Sequence, residues 1–260
     1  MIDVLISTIG DRILDLKLPH FRKSINYIIV HQNYSEVDMS DLDFLKKRPD
    51  VLLLQSDSIG LSASRNIGIS ACRGNIVQIC DDDVEISLDY LTSLSRIFAE
   101  TGADIITAKF LLSSGIYLKK YSKKRFRHNL FTIGKVSSVE IAFVREKVTK
   151  SNIYFDEEFG LGTKYPGGEE YLFLLACKRN RLNIQFVPEI VCKHPIVTSG
   201  SNFYKNRAAI VAKRKVLERA FPKLYIVLVF FFWIKKSKFV MLNGRRNFLQ
   251  FTCDLFFRDF

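Results

Sequence analysis

Three consecutive aspartates, Asp81, Asp82 and Asp83, directly follow the apolar segment Ile76–Cys80. Adjacent carboxylates raise each other's pKa unless a cation is present. Carboxylate oxygens suit Mg²⁺ or Mn²⁺, which usually takes one or two of them together with substrate phosphates. Alternate side chains of a strand share a face, so Asp81 and Asp83 can converge while Asp82 points elsewhere. The triplet therefore indicates either a divalent-cation site or a solvated turn or helix N-cap, where aspartate is also favoured.

A second acidic pair, Glu169 and Glu170, follows Gly167 and Gly168 and opens an apolar, helix-like segment. The helix dipole favours acidic residues in a first turn, and this alone would explain the pair. A carboxylate at this place can also act as a general base that takes the proton of an attacking hydroxyl. The pair by itself leaves both interpretations open.

Two further side chains are of types that bind metals or phosphates. His194, in Cys-Lys-His-Pro after a predicted strand, can give a nitrogen ligand to a metal, although a lone histidine before proline is more often structural. Arg65, in Ser-Ala-Ser-Arg-Asn, can pair with a phosphate or with an aspartate at a strand end, or it can lie on the surface of a helix.

The segments that carry these residues alternate between strand and helix patterns. Short apolar runs, typical of parallel strands buried on both faces, lie at residues 3–7, 27–30, 51–54 and 76–80. Before the fourth run, Ser62 or Ser64 caps a predicted helix that Gly74 ends. This order predicts an α/β domain with a doubly wound, mostly parallel sheet and helices on both faces. Because such sheets bind ligands at the carboxyl ends of their strands, the aspartates lie where a ligand is expected.

The following part of the chain continues this pattern. The sequence predicts helices at residues 87–100 and 169–178, and strands at 105–112, 139–144 and 184–187. A basic loop, Leu118–His128, contains six Lys and Arg. We therefore assign residues 1–200 to one α/β domain.

Composition narrows the class of protein. The chain has 260 residues, 48% of them hydrophobic and 25% charged, which suits a globular protein with one large domain or a domain with an appendage. Five widely spaced cysteines without a CxxC pair argue against a zinc site or a disulfide framework. The chain starts as a predicted strand, without the basic segment and cleavage site of a secretory signal. A cytoplasmic location fits these features.

Positive charge is concentrated in residues 201–260. They contain 13 Lys and Arg against 3 Asp and Glu, and so carry +10 of the net charge of +12. Their apolar run Leu224–Ile234 has 11 residues, whereas a spanning helix needs about 20. We expect a basic, Phe-rich, α-helical extension. Either its amphipathic helices dock on an anionic membrane surface, or the apolar run is a core helix that packs on the preceding domain.

The segment GLSASRNIGISACRGNIVQICDDD resembles the donor-side segment of inverting, nucleotide-sugar-dependent glycosyltransferases of family 2, which have the GT-A fold. Their usual pattern is Gly-x-x-x-Ala-Arg-Asn-x-Gly, then small residues ending in Gly, an apolar strand and Asp-x-Asp. The residues that match are Gly60, Arg65, Asn66, Gly68, Ala71, Gly74 and Asp81 to Asp83. Ser64 stands in place of the usual alanine.

The segment FDEEFGLGTKYPGGEEYLFL resembles the acceptor-side segment of the same family, in which Gly-rich residues precede a Glu-Asp pair that opens a helix. The residues that match are Phe155, Asp156, Glu157, Phe159, Gly160, Gly168, Glu169 and Glu170. Glu170 takes the place of the usual aspartate. The resemblance covers about residues 3 to 195.

The resemblance implies a role for each candidate residue. Mg²⁺ or Mn²⁺ would be the cofactor, held by Asp83 with Asp81, and His194 falls where many GT-A enzymes place a third ligand. Glu170 would be the catalytic base and Glu169 would help to bind the acceptor, but the pair can exchange roles because glutamate is one methylene longer than aspartate. The expected nucleotide-sugar contacts are Thr8, Asp11, Asp57, Arg65, Asp81 and Asp82.

The resemblance also implies the reaction. A sugar would move from a nucleoside diphosphate, most often UDP, to a hydroxyl of a glycan in one displacement that inverts the anomeric centre. Residues 1–115 would bind the nucleotide and residues 116–200 the acceptor. The family's acidic residue that reads the base is absent, and Gln32 or Asp57 would replace it. A lipid-linked acceptor on the inner face of the cell membrane, in synthesis of a bacterial surface polysaccharide such as the O-antigen of lipopolysaccharide, would suit the basic extension.

Two other functions compete with this one. A sugar nucleotidyltransferase shares an α/β nucleotide domain with acidic metal ligands, but it needs a Gly-rich basic loop where this chain has only TIGDR after its first strand. A basic nucleic-acid-binding module would explain the net charge but gives no role to the two acidic clusters. The sequence therefore favours the transferase, with no nucleic-acid partner.

Overall fold

The computed structural model describes residues 1–38, 40–195, 206–242 and 245–257. Its strands are β1 (Ile2–Ile9), β2 (Ile25–Gln32), β3 (Val51–Ser56), β4 (Ile76–Asp81), β5 (Glu85–Ile86), β6 (Ile105–Leu112), β7 (Phe126–Arg127), β8 (Ile141–Val144) and β9 (Ile184–His194). Its helices are α1 (Asp43–Lys46), α2 (Leu61–Ala71), α3 (Leu88–Thr101), α4 (Arg145–Lys150), α5 (Glu169–Arg179), α6 (Arg207–Ala220), α7 (Tyr225–Leu242) and α8 (Arg245–Phe256). A 3₁₀ turn, Gly10–Asp15, follows β1.

The strands form one sheet in the order β3-β2-β1-β4-β8-β6-β9-β5, with β7 paired to β9. The long pairings of β1 with β2 and β4, of β2 with β3, and of β6 with β9 are parallel. Shorter antiparallel pairings join β8 to β4 and to β6. The predicted α/β fold is confirmed, because helices cover both faces of this sheet.

Both faces of the sheet are buried because its strands are apolar on both sides. In β1, Val4 and Ile6 face a core that includes Leu91 and Leu94 of α3. Leu5, between them, faces a second core on the opposite side, to which α2, α5 and α6 contribute. The alternation of side chains along a strand thus distributes one apolar run between two helix layers.

Two local predictions were wrong. The helix α2 begins after Gly60, whose φ of +138° suits glycine, and not after a serine cap. Ser62 lies inside the helix, where its hydroxyl donates to the carbonyl of Phe159. The strand β9 also continues well past Pro188, since its pairing with β6 shifts register there and the proline needs no ladder hydrogen bond.

Of the three C-terminal helices, α6 packs on the α/β domain and also contacts α7 and α8. One side of α6 places Val211, Val216 and Ala220 in the second core. Its other side contributes Ile210 to a third core with Phe251 and other side chains of α7 and α8. The predicted domain boundary at residue 200 lies outside the described residues. Among the described helices, none combines the length and the apolar composition that crossing a bilayer requires.

Candidate active site

A cavity of about 620 Å³ opens at the carboxyl ends of β1 and β4. Both acidic clusters, Asp81 to Asp83 and Glu169 with Glu170, line it. Asp81 is the last residue of β4 and pairs in register with Ser7 of β1, which places the triplet at the edge of the sheet. The glutamates begin α5. Segments that are almost 90 residues apart in the sequence therefore share one cleft.

Arg65 joins the two acidic clusters. Its guanidinium is 1% exposed and donates to Glu169 Oε1 at 3.1 Å and to Asp81 Oδ1 at 3.2 Å. It also lies 5.3 Å from the centre of the Phe155 ring. Burial opposes the charged form, but Glu169 and Asp81 outweigh it and raise the pKa of Arg65. Of the alternatives considered for Arg65, the structure shows the pairing with an aspartate at a strand end. A contact between Arg65 and the nucleotide stays a prediction.

The two glutamates differ in their surroundings. Gly167 and Gly168, with φ of +101° and +92°, turn the chain into α5 in a conformation that favours glycine. Glu169 is 3% exposed and paired with Arg65, while its Oε2 has no hydrogen-bond partner among the described residues. Burial and, next, the charge of Glu169 raise the pKa of Glu170 from 4.5 to about 8. A carboxyl with this pKa suits a general base near neutral pH.

Arg12, which was not among the predicted site residues, lines the cavity and contacts the aspartate triplet. It lies in the 3₁₀ turn after β1, and its guanidinium grips both carboxylate oxygens of Asp82, with Nε at 2.9 Å from Oδ2. Its Nη2 is 3.5 Å from Asp83 Oδ2. In the sequence, the position of Arg12 in the turn after the first strand could have indicated that it contacts the site.

Each of the predicted metal ligands borders the cavity. Asp81, Asp83 and His194 all line it, and His194 ends β9. Among the described residues, no three His, Cys, Asp or Glu side chains are grouped closely enough to hold a cation by themselves. These residues still fit a Mg²⁺ or Mn²⁺ ion that takes its remaining ligands from a bound diphosphate, which is the usual arrangement for Mg²⁺.

The predicted nucleotide contacts separate into two groups. Thr8 is buried and lines the cavity, and its Oγ1, like the neighbouring Ser7 Oγ, has no partner among the described residues. Gln32 also lines the cavity, but its amide nitrogen donates to the carbonyls of Ser58 and Gly60. Asp11 and Asp57 are exposed and lie outside the cavity lining, so their roles stay predictions.

A buried carboxylate fixes the basic loop against the wall of the cavity. Glu140 is 2% exposed and accepts hydrogen bonds from Lys119 at 2.7 Å and from the hydroxyl of Tyr121. Leu118, next to this lysine, lines the cavity. Glu140 was not predicted as a functional residue, because nothing near it in the sequence shows which lysine it contacts.

The fold is that of GT-A glycosyltransferases. The family described as glycosyl transferase family 2 matches residues 29–159, just over half of the chain. The chain belongs to that family. This membership decides against the nucleotidyltransferase and against the nucleic-acid-binding module.

The following relatives are distant in sequence. Glycosyltransferase GlyA of Streptococcus pneumoniae serotype 4 is 23% identical over 186 residues, which are 65% of this chain and 27% of GlyA. The structure of S. aureus TarS 1-349 has a TM-score of 0.61 at 14% identity, over 98% of this chain and 80% of that one.

Two complexes of the same TarS fragment are also similar. The complex with UDP has a TM-score of 0.60 at 15% identity, over 84% of this chain and 65% of that one. The complex with UDP-GlcNAc has a TM-score of 0.58 at 16% identity, over 84% and 67%. At these identities the likeness shows the fold. The chain spans about a quarter of the length of GlyA, so it shares only part of that protein.

Proposed function

We propose that this glycosyltransferase moves a sugar from a nucleoside diphosphate, with UDP as the first candidate, to a hydroxyl of a glycan by one inverting displacement. The observation that carries the proposal is the single cleft in which Arg65 joins the aspartate triplet to the glutamate pair. The buried oxygens of Ser7 and Thr8, which have no protein partner among the described residues, are available to a donor. The TarS complexes with UDP and UDP-GlcNAc support a uridine donor.

Each side of the cleft has its own task in this mechanism. A Mg²⁺ or Mn²⁺ ion held by Asp83 and Asp81, with His194, would supply positive charge to the leaving diphosphate. Glu170 removes the proton of the acceptor hydroxyl as it attacks the anomeric carbon from the face opposite the diphosphate. Glu169 is paired with Arg65 through Oε1, and its Oε2, which has no partner among the described residues, accepts a hydrogen bond from the acceptor sugar.

The donor side and the base are tested separately. Glu170→Gln is expected to abolish transfer and to leave binding of the UDP-sugar nearly unchanged, since the variant removes the base but keeps the shape. Asp83→Ala is expected to lose metal-dependent donor binding, measured by calorimetry with and without Mn²⁺. Full activity of Glu170→Gln would exclude Glu170 as the base. Screening UDP-, GDP- and dTDP-sugars for hydrolysis identifies the donor.

We further propose that the acceptor is lipid-linked and that α7 rests on the anionic inner face of the cell membrane, in synthesis of a bacterial surface polysaccharide such as O-antigen. Six large apolar side chains near the start of α7 are 48–63% exposed: Leu224, Ile226, Val227, Phe230, Phe231 and Ile234. Contiguous exposed apolar surface is typical of membrane or protein contacts. The apolar run therefore does not pack wholly on the catalytic domain.

Charge favours a lipid surface as the occupant of this face. From Arg219 to Cys253 the chain has seven Lys and Arg and no Asp or Glu. A lysine or arginine beside an anionic leaflet contributes about 1 kcal/mol. Lys235 and Lys236 directly follow the apolar run, which places positive charge beside the exposed apolar side chains, as expected of a helix that contacts an anionic lipid surface. Asn206, which caps α6, and Ala209 in its first turn line the cavity, so α6, which contacts α7, also borders the cleft in which we place the acceptor.

The membrane proposal is tested by flotation of the full chain with vesicles. We expect binding to phosphatidylglycerol vesicles, little binding to phosphatidylcholine, and loss of binding when Ile226, Phe230 and Phe231 are changed to Gln. Phe44→Gln, at an exposed apolar residue of α1, is the matched control. If the triple variant binds vesicles as well as the wild type does, the membrane is not the partner. The same conclusion follows if the wild type is a dimer and the triple substitution dissociates it without changing vesicle binding.

A further inference from the structure

The contact between Arg12 and the aspartate triplet is unlike an ordinary surface ion pair. The arginine is 53% exposed, but the Asp82 side chain that it grips is only 6% exposed. Both carboxylate oxygens of Asp82 accept from the same guanidinium, which is the bidentate geometry that gives arginine–carboxylate pairs their strength. Asp83, 40% exposed, is left with one longer contact at 3.5 Å to the same group.

Two guanidinium groups therefore divide the triplet between them. The buried Arg65 donates a hydrogen bond to one oxygen of Asp81, and the partly exposed Arg12 donates to both oxygens of Asp82. Two of the three negative charges already have a fixed cation before any ligand binds. A divalent ion that approaches Asp83 meets the positive charge of Arg12 at short range, and this repulsion weakens its binding.

We propose that Arg12 is a positioning residue that keeps Asp82 out of the metal site and makes divalent-cation binding depend on the nucleoside diphosphate. A bound diphosphate adds negative charge beside Asp83 and offers oxygens both to the cation and to Arg12. Cation and nucleotide then strengthen each other's binding, which is a coupling between two ligands of one cleft. This inference rests on the proposed function, because it takes the nucleotide site and the metal site from it.

The test measures Mn²⁺ binding to the full chain by electron paramagnetic resonance, with and without UDP, and does not use activity. In the wild type, Mn²⁺ alone should bind weakly, and UDP should strengthen its binding. In Arg12→Ala, Mn²⁺ alone should bind about tenfold more tightly, since a neighbouring positive charge is gone, and the gain from UDP should shrink. Arg12→Lys keeps the charge but not the bidentate grip and should fall between the two. Arg22→Ala, which removes an exposed arginine outside the cavity lining, is the control.

The outcomes separate this inference from the proposed function. If the wild type binds Mn²⁺ with UDP but Arg12→Ala binds Mn²⁺ alone no better than the wild type does, the role of Arg12 is refuted and the function stands. If Arg12→Ala binds Mn²⁺ alone more tightly but UDP never strengthens Mn²⁺ binding to the wild type, the metal-dependent donor site and the proposed dependence of cation binding on the nucleotide are both refuted. If neither protein binds Mn²⁺ under any condition, both are refuted.

Discussion

Replacing the proposed base, Glu170→Gln, is expected to stabilise the protein at alkaline pH while it abolishes transfer. Burial and the charge of Glu169 raise the pKa of Glu170 from 4.5 to about 8. The folded state therefore keeps a proton on this carboxyl that the unfolded chain has already released. A group of this kind lowers the free energy of unfolding as the pH rises from the unfolded pKa to the folded pKa. Glutamine cannot ionise and has no such loss.

The size of the effect follows from the shift. A difference of about 3.5 units between the two pKa values, at 1.36 kcal/mol per unit, amounts to a loss of about 5 kcal/mol once the pH has risen from below 4.5 to above 8. Other groups titrate in the same range, but they are common to both proteins. The quantity to follow is therefore the free energy of unfolding of the variant minus that of the wild type.

The assay is urea denaturation of both proteins at pH 5 and at pH 9 in metal-free buffer. We expect similar stabilities at pH 5 and a variant that is more stable by a few kcal/mol at pH 9. In the wild type, kcat/KM for transfer should rise through pH 8, because only about a tenth of the free enzyme has Glu170 ionised at pH 7. A stability difference that stays constant from pH 5 to pH 9 would show that Glu170 ionises as in water, and the reasoning about its burial would be wrong.

Three further results are expected. Gly168→Ala should lower the free energy of unfolding by about 1–3 kcal/mol and reduce activity, because the new Cβ would lie 2.5 Å from a methyl of α6. Gly167→Ala is the control, since Gly167 has a similar φ but no atom within 4 Å of the new Cβ, and it should lower the thermal unfolding temperature less. Arg65→Met should lower the free energy of unfolding by about 3–5 kcal/mol, since it leaves Asp81 and Glu169 without their buried cation, and an unchanged urea midpoint would contradict the pairing. A chain that ends before α6 should aggregate, while one that ends after it should give a cooperative melting curve; equal solubility of the two would show that α6 is dispensable for the second core.

The fold and the location of the site were readable from the sequence because their signals are local. Apolar runs bounded by turn residues indicated the parallel strands, and Asp81 to Asp83 directly followed one of them. Glycines beside Glu169 and Glu170 indicated the start of a helix, which the structure has. Neighbouring residues determine such patterns, so each could be recognised without knowing what packs against it.

Tertiary structure alone decided which charged groups meet. Arg65 reaches a glutamate 104 residues away, and Arg12 reaches an aspartate 70 residues away. As a result the two neighbouring glutamates differ: Glu169 is paired with Arg65, whereas the raised pKa of Glu170 keeps its carboxyl largely protonated at neutral pH. The exposure of one face of α7 and the packing of α6 into the second core are likewise properties of the folded chain. Sequence determines which side chains can ionise, but burial and distant partners determine which of them do.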